Sequence, residues 1–177
     1  IANTAVGANA LQNLRDGNHN IAIGPESLEA NTDGSNNTVV GSNAMESNTT
    51  GNNNVALGMD ALNQNTDADE NTAIGTFALR ANTSGDSNTG VGTEALYNNT
   101  TGYENVALGT GALFENISGT KNNAIGYDAL RQNTGSNNIA VGNMAGFTNG
   151  IGNNNTLIGF EADVASEALT NATALGA

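Results

Sequence analysis

A glycine returns almost every 17 residues along the whole chain: Gly7, Gly24, Gly41, Gly58, Gly75, Gly92, Gly109, Gly126, Gly142, Gly159 and Gly176. Nine of the ten steps are 17 residues. The tenth, Gly126 to Gly142, is 16, and there the sequence reads Asn133-Thr134-Gly135 with one turn residue missing. A unit of this length is too short for a helical hairpin repeat of about 34 residues or a propeller blade of about 40, and it matches one coil of a β-solenoid.

Other columns keep the same phase. Just before each glycine stands an aliphatic residue: Val6, Ile23, Val40, Leu57, Ile74, Val91, Leu108, Ile125, Val141, Ile158 and Leu175. Two before it is mostly alanine, and four before it is Asn in ten of eleven copies. Three after it comes Ala or Ser, then Leu or Met through Leu130, and the unit closes on Asn-Thr-x-Gly, as in Asn82-Thr83-Ser84-Gly85. Within one unit, 71–74 reads as a strand, 75–77 as a tight turn, 78–81 as a second short strand and 82–87 as the return turn. A short helix at Ala-Leu-x-x-Asn competes with that second strand, but five residues do not offset helix nucleation without strong packing. The fold class expected is therefore all-β, a parallel β-solenoid with two short strands per coil.

Stacking at about 4.8 Å per coil turns every column into a ladder. The aliphatic and leucine columns are expected to face one another as two interior stripes. Side chains alternate along a strand, so alanine, next to the aliphatic residue, is then expected to point outwards. That makes Ala5, Ala22, Ala56, Ala73, Ala107, Ala124, Ala140 and Ala174 the candidate subunit-interface stripe, small enough to admit a neighbouring backbone. The glycines answer a turn with positive φ or no room for Cβ, and the asparagines stack as amide ladders. Two large apolar side chains per coil contribute about 1.5–3 kcal/mol each, against an ordering cost of about 1–2 kcal/mol per residue. Association is therefore expected, most simply as a homotrimer.

Composition bounds the function. The chain has 177 residues, 17 acidic and four basic, a formal net charge of -13, no cysteine and 4% aromatic residues. No basic patch exists for a nucleic acid backbone. Apolar stretches are a few residues long, so no direct membrane insertion is expected of this segment, and no signal segment opens it. The chain starts at Ile1 already inside a repeat and reads as a fragment of something longer, regular over 1–159 and an atypical or transition coil over 160–177. There Gly146 and Asp163 replace the column leucine and 164–170 break the turn pattern.

Catalytic, cofactor-binding and metal residues are all expected to be absent. His19, the single histidine, lies in a turn, so no His-based triad or histidine-rich zinc site is available. Asp67, Asp69 and Glu70 fall together in one turn, an opportunistic calcium site at most, and lack the periodic Asp of calcium-binding nonapeptide repeats. The glycine-rich stretches lack the Gly-Lys-Ser/Thr of a phosphate loop. Asn-x-Ser/Thr sequons at Asn36, Asn48, Asn82, Asn98, Asn99, Asn116, Asn154 and Asn171 follow from a repeat rich in Asn and Thr.

The phrase Asn-Thr-Ala-Ile-Gly or Asn-Val-Ala-Leu-Gly (71–75, 54–58, 105–109) resembles the head repeats of trimeric autotransporter adhesins. With Ala-Leu-x-x-Asn-Thr-x-Gly added, it also resembles repeats of phage tail-fibre-like and bacterial surface-fibre proteins. The resemblance covers nearly the whole chain, although 17 residues exceed the shorter adhesin head repeat. It implies a left-handed β-roll packed as a homotrimer, an extracellular place on a cell surface or virion fibre, and an unidentified host or environmental receptor as partner besides the chain itself. The function expected is a structural and adhesive fibre segment, with a tail-fibre shaft, a filament stacked through open β edges at Ile1, and an ice-binding solenoid as alternatives. The last rests on a turn ladder of Thr32, Thr49, Thr66, Thr83 and Thr100, broken by Ile117.

Overall fold

The computed structural model describes residues 2–176; Ile1, with the open-edge reading placed on it, and Ala177 lie outside the described residues. Each repeat forms one three-residue strand immediately before its column glycine. In chain order these are β1 (Thr4–Val6), β2 (Ile21–Ile23), β3 (Thr38–Val40), β4 (Val55–Leu57), β5 (Thr72–Ile74), β6 (Thr89–Val91), β7 (Val106–Leu108), β8 (Asn123–Ile125), β9 (Ile139–Val141), β10 (Thr156–Ile158) and β11 (Thr173–Leu175). They make a single parallel sheet in sequence order. Ala73 stands opposite Gly90 and Ile74 opposite Val91, so each residue stacks on its counterpart 17 positions later. The short step leaves the register intact, with Asn123 opposite Ile139. The molecule is an all-β parallel solenoid of about ten turns, with no helix among the described residues.

The second strand of each coil is not formed. In place of an extended segment at 78–81 the backbone alternates hand, with Phe77 at φ 61° and Leu79 at φ 51°. Left-handed residues do not fit a strand. Amides here bond alternately within the coil (Ala78 N to Gly75 O, 3.2 Å; Asn82 N to Leu79 O, 3.1 Å) and across coils (Phe77 N to Met59 O, 3.0 Å; Leu79 N to Ala95 O, 2.9 Å). The segment is thus laddered without being a strand. A leucine held left-handed costs about 1–2 kcal/mol, comparable to the roughly 1.5–3 kcal/mol gained by burying its side chain.

The glycine corner behaves as expected. From Gly7 to Gly159 the column glycines lie at φ 126–146°, a region closed to side chains. Stacking closes it a second time, since a Cβ on Gly75 would sit 2.5 Å from Gly92 O.

The interior inverts one expectation. Ala22, Ala56, Ala73, Ala107, Ala124 and Ala140 have no exposed surface, and Leu28, Leu62, Leu79, Leu96, Leu113 and Leu130 fill the space opposite them. Only the end members of the alanine column escape, Ala5 exposed and Ala174 half-buried. The alanine stripe is therefore core and not an outer interface, and the aliphatic column points out. Alternation along the strand holds, but the large side chain already comes from the other wall, so most strands turn a small residue inwards, while β3 turns in Val39, also fully buried.

The rest of the interior is amide. The asparagine four before each glycine accepts the next coil's amide on Oδ1, as Asn54 N does to Asn37 Oδ1 at 2.9 Å, and its Nδ2 reaches a turn carbonyl, Asn54 to Ala68 O at 2.9 Å. A second ladder runs side chain to side chain from Asn31 through Asn48, Asn65, Asn82 and Asn99 to Asn116, its bonds 2.7–3.2 Å long. Buried amides need such partners, and the repeat supplies nearly all of them, Asn71 Nδ2 and Asn116 Oδ1 being left without one.

Candidate interaction face

Three columns face outwards on the sheet side: the residue three before each glycine, the aliphatic residue one before it, and the residue one after it. In the coil of β5 these are Thr72, Ile74 and Thr76. The aliphatic column is more exposed than large apolar groups usually are, with Ile23 at 39%, Ile74 at 38%, Ile125 at 41% and Ile158 at 44%. Val40, Leu57 and Val91 are half-buried.

None of the 17 acidic or four basic residues falls in any of the three columns from β1 to β11. In a chain of net charge -13, charge is confined to the other sides of the coil. Eleven strands at about 4.8 Å, four residues wide, make a strip about 50 Å long and 13 Å across. That is of the order of the ~800 Å² each partner contributes to a standard interface. The strip is uncharged but chemically mixed: its middle column is aliphatic throughout, and its outer columns combine apolar residues with Thr, Ser and Asn. The exclusion of charge was legible in the sequence, but only to a reading that placed these columns outside.

The second side carries different chemistry. Tyr97 and Phe114 stack with centroids 5.1 Å apart and planes at 8°, and the Arg131 guanidinium lies 4.4 Å over Phe114 while pairing with Asp128 at 2.7 Å. Ring faces there are used against one another and against the cation. Lower on the same side, carboxylate oxygens of Glu26, Glu29 and Glu46 lie within 4.8 Å of one another, and Asn43 Nδ2 donates to Glu26 (3.0 Å) and Glu46 (3.2 Å).

The remaining candidates resolve into turn structure. His19 is an exposed left-handed turn residue at φ 57°. Asp69 accepts the amide of Asn52 at 2.6 Å and donates its own amide to Asp86 at 2.8 Å, a rung of a turn ladder. Asp67 is exposed beside Thr66, whose hydroxyl it accepts at 3.1 Å, and Glu70 accepts from Ser87 at 3.3 Å. Asp67, Asp69 and Glu70 are thus not drawn together around a common point. The threonine ladder is also spoken for: the hydroxyls of Thr49, Thr66, Thr83 and Thr100 donate to the carbonyl of the next coil at 2.9–3.1 Å. Of the sequon asparagines, Asn48, Asn82, Asn99 and Asn116 are fully buried in the amide ladder, whereas Asn36, Asn154 and Asn171 are exposed.

No helix among the described residues is long and apolar enough to cross a membrane, and no pocket is found among them. No family model, curated protein or solved structure matches the chain.

Proposed function

We propose that this chain is a structural and adhesive segment of an extracellular fibre: a stiff rod that associates with copies of itself as a homotrimer and turns its remaining sides to a surface or receptor. The observation that carries the reading is the full-length, charge-free column of outward-facing aliphatic residues from Val6 to Leu175, most of them exposed and Val40, Leu57 and Val91 half-buried. Water against such a strip is costly, at about 25 cal/mol per Å² of apolar area, and a copy of the same strip is a partner of matching length and polarity. Residues that would bring chemistry are bound up in stacking, as Asp69, Asp128 and the turn threonines are, so the reading is of a scaffold and not of an enzyme.

Sedimentation equilibrium tests this. The expected species has three chain masses. Ile74→Asp combined with Ile125→Asp, both on the outward column, is expected to be monomeric at concentrations where the parent is trimeric, with an unchanged circular dichroism spectrum. A parent that is monomeric at all accessible concentrations would count decisively against the fibre reading.

A further inference from the structure

The outward face varies from coil to coil along the rod, and the variation is chemical. From Ile23 to Val141 the aliphatic column reads Ile, Val, Leu, Ile, Val, Leu, Ile, Val. Together with the column two residues earlier it gives rungs that are apolar in both columns at β2 (Ile21, Ile23), β4 (Val55, Leu57), β7 (Val106, Leu108) and β9 (Ile139, Val141). Between them, β3 presents Thr38 with Val40, β5 Thr72 with Ile74, β6 Thr89 with Val91, and β8 Asn123 with Ile125. Rungs apolar in both columns are thus spaced unevenly, β2 to β4, β4 to β7 and β7 to β9, with rungs that carry a hydroxyl or an amide between.

Resting on the proposal that three copies associate through this face, we infer that the uneven spacing of these rungs is a register key holding the copies parallel and at zero axial offset. Three copies closed around one axis must run the same way, and closure at the third contact leaves no net offset. In that arrangement Val55 and Leu57 meet their own counterparts and Thr72 meets Thr72, so apolar groups bury against apolar groups and hydroxyls are available to one another. A slip of one coil sets the Val55/Leu57 rung against Thr38 or Thr72. That strands a hydroxyl against hydrocarbon, the costly case for a buried polar group. A slip of two or three coils matches only some of these rungs, β2 with β4 and β7 with β9 or β4 with β7, and also shortens the contact. Uniform columns would carry no such penalty, which is the general weakness of featureless strands.

The chain contains no cysteine, so single thiols report position cleanly. Val55→Cys, Thr72→Cys and Val106→Cys chains, distinguished by tags of different length, are unfolded, mixed, refolded and joined with a short bis-maleimide. The expected products are homotypic, Val55→Cys with itself and Thr72→Cys with itself, with heterotypic products at least tenfold rarer. Val55-to-Thr72 products as abundant as homotypic ones would overturn a fixed register, and dominant Val55-to-Val106 products would overturn zero offset, whether by a three-coil slip or by an antiparallel arrangement. A levelled variant, I21T/V55T/L57V/V106T/L108V/I139T, is expected to stay trimeric but to raise heterotypic products between single-cysteine positions one coil apart, Thr72→Cys and Thr89→Cys. Unchanged selectivity in that variant would show that the rungs are not the key. Mass and cross-linking fail separately: a monomeric parent removes the fibre reading, whereas a trimer with mixed cross-links removes only the register.

Discussion

The coils of β2 to β8 and those of β9 to β11 close the same interior in different ways. In the regular coils, apart from that of β3 with its buried Val39, the small residue sits on the strand and the large one across from it, Ala73 against the leucine column that contains Leu79. After β9 the sizes change sides. Gly146 occupies a leucine position at φ 65°, Leu157 occupies an alanine position and is fully buried, and a Cβ on Gly146 would lie 2.6 Å from Leu157 Cδ1 and 2.8 Å from Leu130 Cδ2. Asp163, in the next leucine position, leaves the core, and its carboxylate accepts the amide and hydroxyl of Thr148, both at 2.8 Å. Val164 packs against the core instead. What is held constant is the summed cross-section of the coil, as close packing demands, and not the identity of any one column.

The largest effect that follows separates the two regions by the same substitution. Ala73→Asp places a carboxylate in a fully closed position with no cation near it, and a loss of more than about 4 kcal/mol is expected. Ala174→Asp, in the half-buried last coil, is expected to move the thermal midpoint by less than about 4 °C. Melting curves followed by circular dichroism decide it. An Ala73→Asp chain that melts like the parent would return the alanine column to the outside of the coil.

Next in size is the exchange itself. Leu157→Ala leaves neither wall with a large side chain near Gly146, and the cavity should cost about 3–5 kcal/mol. Gly146→Leu alone collides with Leu157 and Leu130 and should cost about 1–3 kcal/mol. The double variant restores the size order of the regular coils and is expected to lie within about 1 kcal/mol of the parent, a strong coupling by double-mutant cycle. Solenoid unfolding spreads from coil to coil, so hydrogen-exchange protection at β9 and β10 is the appropriate measure. Additive losses would show that the two positions do not share one space.

The sequence carries the coil, its phase and its ladders openly, because Gly75 and its counterparts, Asn37, Asn54 and Ile74 recur at one spacing and stacked copies must coincide in space. It hides which side of the strand is inside. Alternation ties Ala73 and Ile74 to opposite faces but does not say which face is wet. The usual assignment of the larger apolar residue to the core fails here because Leu79 already fills the coil from the other wall. The left-handed run at Phe77 and Leu79 is equally hidden, since neither residue favours positive φ and only interior packing holds them there. The alanine column, expected on the outer face, is therefore found in the core, and the absence of charge beside Ile74 is the signal in the sequence that goes with the outward column.

The smallest effect concerns the 16-residue step, the one place where a regular coil departs from its neighbours without a change in core size. Asn133 Nδ2 bonds the carbonyl of Gly135 two residues on, at 3.0 Å, where Asn82 and Asn99 reach three residues on. Displaced in this way, it does not reach Asn116, whose Oδ1 is left buried with no partner, and the amide ladder resumes from Asn133 to Asn149 at 3.1 Å. The β8–β9 register is untouched, so the fault is local to the turn. Inserting one serine between Thr134 and Gly135 rebuilds the Asn-Thr-Ser-Gly turn of residues 82–85 and should return Asn133 to Asn116. The expected gain is about 1 kcal/mol, read as increased amide protection in the return turns flanking β8, and an equal or weaker protection there would mean that the shortened turn meets Asn116 by some other route.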